Sequence, residues 1–453
     1  MKNNKLLIKL ISPRLSLRPM DSEMKRKMAP PLSLVTLASL TPKRHTVYIE
    51  DENIGAINFD DAPDLVGVTV TVDTVRRAFE ISRKYRERGI KVVFGGIHAS
   101  ACPHEMTPYC DTVCVGEAET LWEKILDDFI EGRMEALYFN TEPTDLSRVP
   151  VADWRFIKHR NRYLYNNLIV TSRGCPFRCE FCYNSCDYIV GKYRNRPIED
   201  VVAEIDRIGT RQIMFVDDNF IGDPRWVDAF LDRIMGMGLI WHAAASTNIV
   251  HLPGLIEKMA KSGCRSLFIG FESIDENSIR SVNKRQNRVS EYEGLIRRIH
   301  DNGMMVNASL VFGFDDDTPE TFTKTLEWLV KNRVETMTGH ILTPYPGTAL
   351  HKRLESEGRI IRRDLEKYNT AYAVFKPKNF TPEELEASYR KLYDDFYSWR
   401  NIMRRRPLNK RMLVSYFLFN LGYRKYGRLV SLAGRLGLMN FLGKLARKLA
   451  YGI

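Results

Sequence analysis

Short apolar runs alternate with helix-like segments over residues 1–140. The segment 74–88 places its apolar side chains on one side and ends at Gly89, which is typical of an amphipathic helix with a stop signal. Runs rich in Val, Ile and Leu predict strands buried on both faces of a sheet. These runs lie at 6–11, 45–49, 65–70, 91–94 and 112–115. Strands alternating with helices predict a first α/β domain with a doubly wound parallel, Rossmann-like sheet.

The same alternation continues over residues 160–375. Six apolar runs, each followed by a helix-like segment, lie at 168–171, 212–216, 242–246, 266–271, 306–312 and 337–342. Six β/α units predict a partial (β/α)6 barrel of the TIM type, because eight units do not fit in the remaining residues. A third, helical region over 380–453 begins with the capping sequence TPEE.

Composition and charge narrow the class of protein. With 453 residues, 44% hydrophobic and 27% charged, the chain is a folded globular protein of two large domains and a tail. The net charge of +12 equals the number of Lys and Arg residues in 401–453, a segment without Asp or Glu, so the first 400 residues are neutral overall. The basicity therefore belongs to the tail.

The tail also carries a helical repeat of leucines. Apolar residues spaced by three and four run from Leu429 to Leu449, with Lys and Arg elsewhere on the wheel, which predicts a basic amphipathic helix. We expect a cytoplasmic protein that this tail docks on the anionic inner membrane surface; packing on the barrel is the alternative. Nucleic acid is disfavoured as a partner, because no aromatic platform accompanies the charges. The longest apolar stretch, 412–423, is too short to span a membrane, which takes about 20 residues.

Small and polar residues follow the strands predicted in the first domain. Ligands of doubly wound sheets bind at the carboxyl ends of strands, and glycine there lets a ligand approach the backbone. Neither a G-x-G-x-x-G fingerprint nor a phosphate-binding P-loop is present. The candidate ligand contacts are Thr69, Thr71, Gly95, Gly96, Gly116 and Glu117.

Three cysteines directly after the first barrel strand carry the strongest chemical signal. Cys175, Cys179 and Cys182 form C-x3-C-x2-C on one short segment. Three thiolates can hold three irons of a [4Fe-4S] cluster and leave the fourth iron open for chemistry. The alternative is a structural zinc site with Cys186 as the fourth ligand.

This spacing, with Phe181 just before the last cysteine, resembles the signature of radical S-adenosylmethionine (SAM) enzymes. The resemblance implies that the open iron binds the amino and carboxylate groups of SAM. One electron from an external donor would then cleave SAM to methionine and a 5′-deoxyadenosyl radical that abstracts hydrogen from the substrate. A substrate-directed catalytic residue cannot be assigned from the sequence.

The resemblance also implies SAM contacts at the ends of the barrel strands. The family's Gly-Gly-Glu motif is replaced here by VDDNF, in which Asp217, or Asp218 as its alternative, would meet the SAM ammonium group. Further SAM contacts are expected from Phe181, Ser246, Asn248, Glu272 and Gly313.

The order of DLVGVTV, a helix, KVVFGGIHAS and DTVCVGEAE resembles the cobalamin-binding domain that precedes the barrel in many radical SAM enzymes. Better-known cobalamin-binding domains supply a histidine to cobalt from an Asp-x-His-x-x-Gly loop, but the corresponding loop here, 12–31, contains no histidine. We therefore expect cobalamin to bind without that lower ligand; His98 is an alternative ligand.

Together the two resemblances imply cobalamin-dependent methylation of an unactivated carbon, with methylcobalamin giving the methyl group and a second SAM recharging the cobalt. The substrate would be a small, lipophilic molecule. Two alternatives stay open: radical cyclisation or rearrangement without methyl transfer, and a zinc-stabilised, membrane-docked binding protein.

Overall fold

The computed structural model describes residues 5–21, 23–189 and 192–423, and single residues beyond them. Six parallel strands form the first sheet, in the order β2-β1-β3-β4-β5-β6. They are β1 (Leu7–Ser12), β2 (Thr46–Asp51), β3 (Leu65–Thr69), β4 (Lys91–Gly95), β5 (Thr112–Val115) and β6 (Leu137–Phe139). The helices are α1 (Leu32–Leu40), α2 (Val75–Arg86), α3 (Ile97–Ala101), α4 (Pro103–Met106) and α5 (Trp122–Glu131).

Helices cover both faces of this sheet. Val35 of α1 and Ile125 of α5 belong to the apolar cluster on one face, while Ala78 and Ile81 of α2 belong to the cluster on the other. This arrangement confirms the predicted doubly wound α/β fold. Strand β6 was not predicted, because its three residues, Leu-Tyr-Phe, form no Val- and Ile-rich run.

A second sheet forms the barrel, with six parallel strands in the order β7-β10-β11-β12-β13-β14. This confirms the predicted partial barrel. In chain order the elements are β7 (Leu168–Ile169), β8 (Ser172–Arg173), β9 (Arg194–Asn195), α6 (Ile198–Ile208), β10 (Gln212–Phe215), α7 (Pro224–Ile234), β11 (Ile240–Ala245), α8 (Leu255–Lys261), β12 (Cys264–Glu272), α9 (Glu276–Ser281), α10 (Tyr292–Asp301), β13 (Met305–Phe312), α11 (Pro319–Lys331), β14 (Thr336–Ile341) and α12 (Ala349–Ser356). Strands β8 and β9 pair as a small antiparallel hairpin, and the three cysteines lie between the two strands in the chain.

Three further helices, α13 (Pro382–Phe396), α14 (Trp399–Arg405) and α15 (Leu413–Tyr423), follow the barrel. The TPEE sequence forms the expected capping box: the Glu384 N–H donates to Thr381 Oγ1 at 3.1 Å, and the Thr381 N–H donates to Glu384 Oε2 at 2.8 Å. The amphipathic helix predicted over 429–449 lies outside the described ranges. Within those ranges, none of the helices combines the length and apolar character needed to cross a membrane.

Tyrosines of α13 lie along the outer edge of β14. Tyr397 Oη accepts from the Met337 N–H and donates to the Met337 carbonyl, and Tyr393 Oη accepts from the Gly339 N–H at 2.8 Å. Tyr389 Oη donates to the Gly339 carbonyl at 2.9 Å. An edge strand presents unpaired backbone groups, so these hydroxyls satisfy groups that a seventh strand would otherwise pair.

Arg405 fixes α14 to the base of the barrel. Its guanidinium is fully buried and donates to the carbonyls of Val334 at 2.7 Å, Glu335 at 2.9 Å and Phe396 at 2.8 Å. It also stacks 3.5 Å from the Phe396 ring centre. The start of the basic tail is therefore part of the folded body.

The loop between β1 and α1 reaches from the front sheet to the barrel. Arg18 donates to the carbonyl of Gly339 at 3.4 Å, and the Tyr389 hydroxyl lies 3.7 Å from Met20 Sδ. This loop occupies the chain position of the Asp-x-His-x-x-Gly motif, and it holds the two domains together.

Candidate active site

The cysteine loop, residues 174–186, follows β8 and carries the three predicted thiols. The Cys182 N–H donates to the Cys179 carbonyl at 3.0 Å, and Gln286 Nε2 lies 3.7 Å from Cys179 Sγ. Burial raises the pKa of all three thiols, to about 12 for Cys182, while the ammonium of Lys284 acts in the opposite direction at Cys175 and Cys179. A nearby cation favours the thiolate form that an iron cluster requires, so the loop fits such a cluster.

Cys186 ends the cysteine loop and is buried. It packs with Ala101 and Cys102 of the front domain in a small apolar cluster. The fourth ligand of the zinc alternative therefore sits against the other domain. Within the part of the chain that the structure describes, no three His, Cys, Asp or Glu side chains, the three cysteines included, are grouped closely enough to hold one metal ion, so the cluster assignment rests on the cysteine spacing.

Asp217 anchors the entry to the cysteine loop. One of its carboxylate oxygens, Oδ1, accepts from the N–H of Thr171 at 2.8 Å and of Ser172 at 2.5 Å, and from both hydroxyls at 3.1 and 2.7 Å. Burial raises the pKa of Asp217 to about 6, against the effect of these hydrogen bonds. The other oxygen, Oδ2, is buried and has no partner among the described residues.

Asp218, the predicted alternative to Asp217, has a different environment. Its side chain is exposed and lines the cavity between the domains, beside Arg173 and Gly174. Of the two adjacent carboxylates, Asp217 is thus engaged with the loop backbone, and Asp218 faces open space.

The predicted contacts at the ends of β10 and β11 form one hydrogen-bonded group. Ser246 Oγ accepts from Asn219 Nδ2 at 3.1 Å and lies 2.5 Å from Asn248 Oδ1. Ser246 and Asn219 are both buried. These side chains present oxygen and nitrogen atoms at neighbouring strand ends, where a ribose or an amino acid group can be bound.

Glu272 ends β12 in a left-handed backbone conformation, with φ of 62°. Its Oε1 pairs with Lys284 Nζ at 2.7 Å, and both side chains are over 90% buried. Burial is the largest influence on Lys284 and lowers its pKa, but the charges of Glu272, Cys179 and Cys182 and the hydrogen bond to Glu272 together outweigh burial and raise the pKa, so the ammonium stays charged. Lys284 Nζ also lies 5.9 Å from the ring centre of Phe181. Sequence reasoning missed Lys284.

Gly313 begins the turn after β13. Its backbone N–H donates to Asp317 Oδ2 at 2.8 Å, and the φ of 101° is one that glycine adopts readily. Asp317 therefore fixes the backbone at the position expected to meet the adenine.

A cavity of about 500 Å³ lies between the front sheet and the cysteine loop. Five of the predicted contacts line it: Thr69, Gly95, Gly96, Gly116 and Glu117. A side chain at Gly96 would meet Thr69 Oγ1 at 2.9 Å, so only glycine fits there. Thr71 instead bonds Asp73 and Thr74 at the start of a short helical turn.

The cavity continues from the front domain to the cysteine loop. Val170, Gly174 and Asn184 line its barrel side, and Ser100 lines its front side. His98, on the same helix as Ser100, is fully buried, and both of its ring nitrogens lack a partner among the described residues. A glycine-lined edge facing the cysteine loop fits a flat ring bound close to the backbone.

Four charged side chains join the domains beside this cavity. Glu117 Oε1 pairs with Arg194 Nη2 at 2.5 Å and lies 3.6 Å from Arg173 Nη1, and Arg173 also pairs with Glu119. We call Glu117, Glu119, Arg173 and Arg194 the interdomain ion cluster. Sequence reasoning treated Glu117 as a ligand contact and did not identify its two arginine partners.

Tyr183 and Tyr345, which fall near strand ends in the sequence, stack with ring centres 5.0 Å apart. The Tyr183 hydroxyl is buried without a partner among the described residues. His340 is held by Thr370, with Nδ1 3.0 Å from the hydroxyl oxygen. The stacked pair thus joins the cysteine loop to the segment after β14.

Comparisons with known proteins agree with this geometry. The chain matches the Radical SAM superfamily over residues 169–329, a B12 binding domain over 30–126, and a domain of unknown function, DUF4070, over 348–415. It is 31% identical to bacteriochlorophyllide d C-12(1)-methyltransferase of Chlorobaculum tepidum over 87% of this chain and 89% of the relative. It is 28% identical to hopanoid C-2 methylase of Rhodopseudomonas palustris over 76% of this chain and 68% of the relative.

Solved structures share the fold at low sequence identity. The cobalamin-dependent radical SAM enzyme OxsB, with aqua-cobalamin and SAM bound, superimposes with a TM-score of 0.66 at 16% identity, covering 95% of this chain and 75% of that one. The radical SAM methyltransferase TsrM from Kitasatospora setae, with cobalamin and a [4Fe-4S] cluster bound, gives 0.61 at 17% identity, covering 78% and 75%. With its B12-binding domain in front of the barrel, this chain belongs to the cobalamin-dependent branch of the radical SAM superfamily and is an enzyme that uses a [4Fe-4S] cluster, SAM and cobalamin.

Proposed function

We propose that this enzyme methylates an unactivated carbon of a small, lipophilic molecule. The observation that carries the proposal is the single cavity that joins the glycine-lined edge of the front sheet to the cysteine loop. The cavity is lined by both domains, so a group bound on the glycines of the front sheet would face the cysteine loop. By their names, two relatives methylate a bacteriochlorophyllide and a hopanoid, which supports a lipophilic substrate.

Cys175, Cys179 and Cys182 would hold the cluster, and Lys284 would bind the carboxylate of SAM. Lys284 keeps its charge in a buried position next to these cysteines, where an anion is attracted most strongly. When bound, the cluster and SAM supply hydrogen abstraction, and cobalamin supplies the methyl group.

The remaining SAM contacts follow from exposure and hydrogen bonding. Asp218 is the better candidate for the ammonium group, because it faces the cavity while Asp217 is occupied by the loop backbone. The hydrogen-bonded pair Ser246 and Asn248 would bind the ribose or methionine part. Gly313 would present its backbone to the adenine.

Cobalamin would bind over the glycines of the front sheet without a lower histidine ligand. Gly95, Gly96 and Gly116 let a ring approach the backbone, and Thr69 lies beside them. The 12–31 loop, which contains no histidine, reaches the barrel instead. No side chain of this loop can therefore act as a histidine ligand to cobalt.

Product analysis tests the proposed function. The protein is purified anaerobically, reconstituted with iron, sulfide and hydroxocobalamin, and given SAM with a deuterated methyl group, a strong reductant and a lipid extract. We expect 5′-deoxyadenosine, S-adenosylhomocysteine and a deuterium-labelled lipid together. Formation of 5′-deoxyadenosine without S-adenosylhomocysteine or a labelled product would instead indicate cyclisation or rearrangement.

We also propose that the start of the basic tail docks on an anionic membrane. Trp399, Met403, Leu408 and Val414 are 44%, 46%, 80% and 45% exposed. Exposed basic residues lie between them, at Arg404, Arg406, Lys410 and Arg411. Each basic side chain near an anionic surface contributes about 1 kcal/mol, and the exposed apolar side chains can enter the headgroup region.

Vesicle flotation tests this docking. The full chain should float with phosphatidylglycerol vesicles and not with phosphatidylcholine vesicles. The variant R404Q/R406Q/K410Q/R411Q should lose most of this binding, whereas R76Q/R83Q on the front domain should keep it. Any truncated variant used in this experiment should keep residues 1–423, because a variant that ends at residue 400 would lose the buried Arg405. Equal flotation of the wild type and the four-residue variant would rule out the proposal.

A further inference from the structure

The interdomain ion cluster neutralises like charges that face each other in the hairpin of β8 and β9, whose strands flank the cysteine loop in the chain. Arg173 of β8 lies directly opposite Arg194 of β9 in the antiparallel pair. Like charges opposite one another destabilise a strand pair. The carboxylates that neutralise them, Glu117 and Glu119, both come from the loop after β5 in the front domain. The hairpin therefore depends on the other domain for its charge balance.

The same four side chains are well shielded from solvent. Glu119 is 9% exposed, Glu117 and Arg194 are each 18% exposed, and Arg173 is 29% exposed. Burial alone would raise the pKa of Glu117, but hydrogen bonds from Arg194 and Thr144 and the charge of Arg173 lower it. Shielded ion pairs are screened less by salt than surface pairs, so these contacts can contribute to the interaction free energy between the two domains.

The ion cluster touches both cofactor sites. Arg173 lies two residues before Cys175. The two residues before Arg173, Thr171 and Ser172, donate their backbone N–H groups to Asp217. Glu117, Glu119 and Arg173 all line the cavity proposed to hold cobalamin. A ligand that fills the cavity must therefore contact or displace the side chains that hold the start of the cysteine loop.

We propose that Arg173 is a positioning residue that couples the cobalamin site to the cysteine loop, so that cobalamin binding orders the loop through the Arg173–Glu119 pair. The inference rests on the proposed cobalamin site. It adds that the front domain regulates the order of the loop and also serves as a binding surface. An ion pair of this kind can supply a coupling of about fivefold or more between two sites.

Amide hydrogen exchange tests the coupling in the full-length, anaerobically reconstituted protein, with and without hydroxocobalamin. In the wild type, hydroxocobalamin should slow exchange over residues 170–186 by about fivefold. Arg173→Gln and Glu119→Gln should lose this protection and, because coupling is reciprocal, should weaken hydroxocobalamin binding, followed by its visible spectrum, by no more than about the same fivefold. The charge exchange R173E/E119R should restore it. Glu199→Gln, which removes the exposed Glu199–Arg233 pair on α6 and α7, is the matched control and should behave as the wild type.

The outcomes separate the two proposals. If the wild type does not bind hydroxocobalamin, the proposed cobalamin site fails and the coupling fails with it. If it binds without slowing exchange over 170–186, or if both single variants keep full protection, only the coupling is overturned. Glu119→Gln changes no residue of the hairpin or the cysteine loop, so a wild-type iron content in this variant would show that lost protection does not result from a misfolded loop.

Discussion

Lys284 Nζ lies 2.7 Å from Glu272 Oε1, and the two form a buried ion pair beside the cysteine loop. Removing one member of a buried pair leaves the other charge uncompensated, which typically costs 3–5 kcal/mol. The pair is therefore a structural element as well as a candidate SAM contact.

Lys284→Met should lower the free energy of unfolding by about 3 kcal/mol. Lys331→Met, which removes the exposed Lys331–Glu293 pair, should cost less than about 1 kcal/mol and serves as the control. Anaerobic urea unfolding measures both. If Lys284 also binds the SAM carboxylate, Lys284→Met should weaken SAM binding in equilibrium dialysis; unchanged SAM affinity would remove that role.

Asp217 and Asp218 can be distinguished by their amide variants. Asp217→Asn keeps an oxygen acceptor for the four loop contacts, whereas Asp217→Ala removes it and should cost about 2 kcal/mol or more and lower the iron content. Asp218→Asn should weaken SAM binding with no change in iron content. If Asp217→Asn, and not Asp218→Asn, weakens SAM binding, the ammonium contact belongs to Asp217.

Tyr393→Phe should destabilise the barrel. The variant leaves the Gly339 N–H without its acceptor, and an unpaired buried backbone group costs about 1–3 kcal/mol. Tyr109→Phe, on a ring that is 45% exposed in the front domain, provides the comparison and should change stability little. Thermal or urea unfolding measures the stability of both variants. An equal loss of unfolding free energy in Tyr393→Phe and Tyr109→Phe would contradict the role assigned to the Tyr393 hydroxyl.

Stability should fall in mild acid because of His98. Burial lowers the pKa of His98 to about 4, below the ordinary value of 6.5. As the pH falls below 6.5, the unfolded chain takes up a proton that the folded protein does not, so stability decreases until the pH approaches 4. The loss reaches about 2 kcal/mol at pH 5.

His98→Leu should remove this part of the pH dependence, while the exposed His104→Leu should keep it. The measurement is the slope of unfolding free energy against pH between 5 and 7. Equal slopes in His98→Leu and the wild type would show that His98 does not contribute.

The periodic parts of the fold could be predicted from the sequence. Every predicted strand is present, because a Val- and Ile-rich run buried on both faces is a local signal. Strand β6 and the hairpin of β8 and β9 were missed, since two or three residues carry no period.

The candidate site was predictable only where its residues are close in sequence. The spacing of Cys175, Cys179 and Cys182 is local, and the strand-end glycines follow visible apolar runs. The roles of Lys284 and Arg173 depend on ion pairs with Glu272 and Glu119, which lie 12 and 54 residues away in the chain. Hydrophobic periodicity and motif spacing do not predict contacts between side chains that are distant in the sequence.

The tyrosines of α13 that bond the backbone of β14 also show why the barrel can stop at six strands. Four residues of helix advance about 6.0 Å, and two residues of strand advance about 6.6 Å. The step from Tyr397, which bonds Met337, to Tyr393, which bonds Gly339, therefore matches two residues of the strand, and Tyr389 bonds the Gly339 carbonyl as well. A helix can thus terminate an open sheet at one edge strand, while Leu168 of the opposite edge strand, β7, packs into the apolar cluster of the front domain.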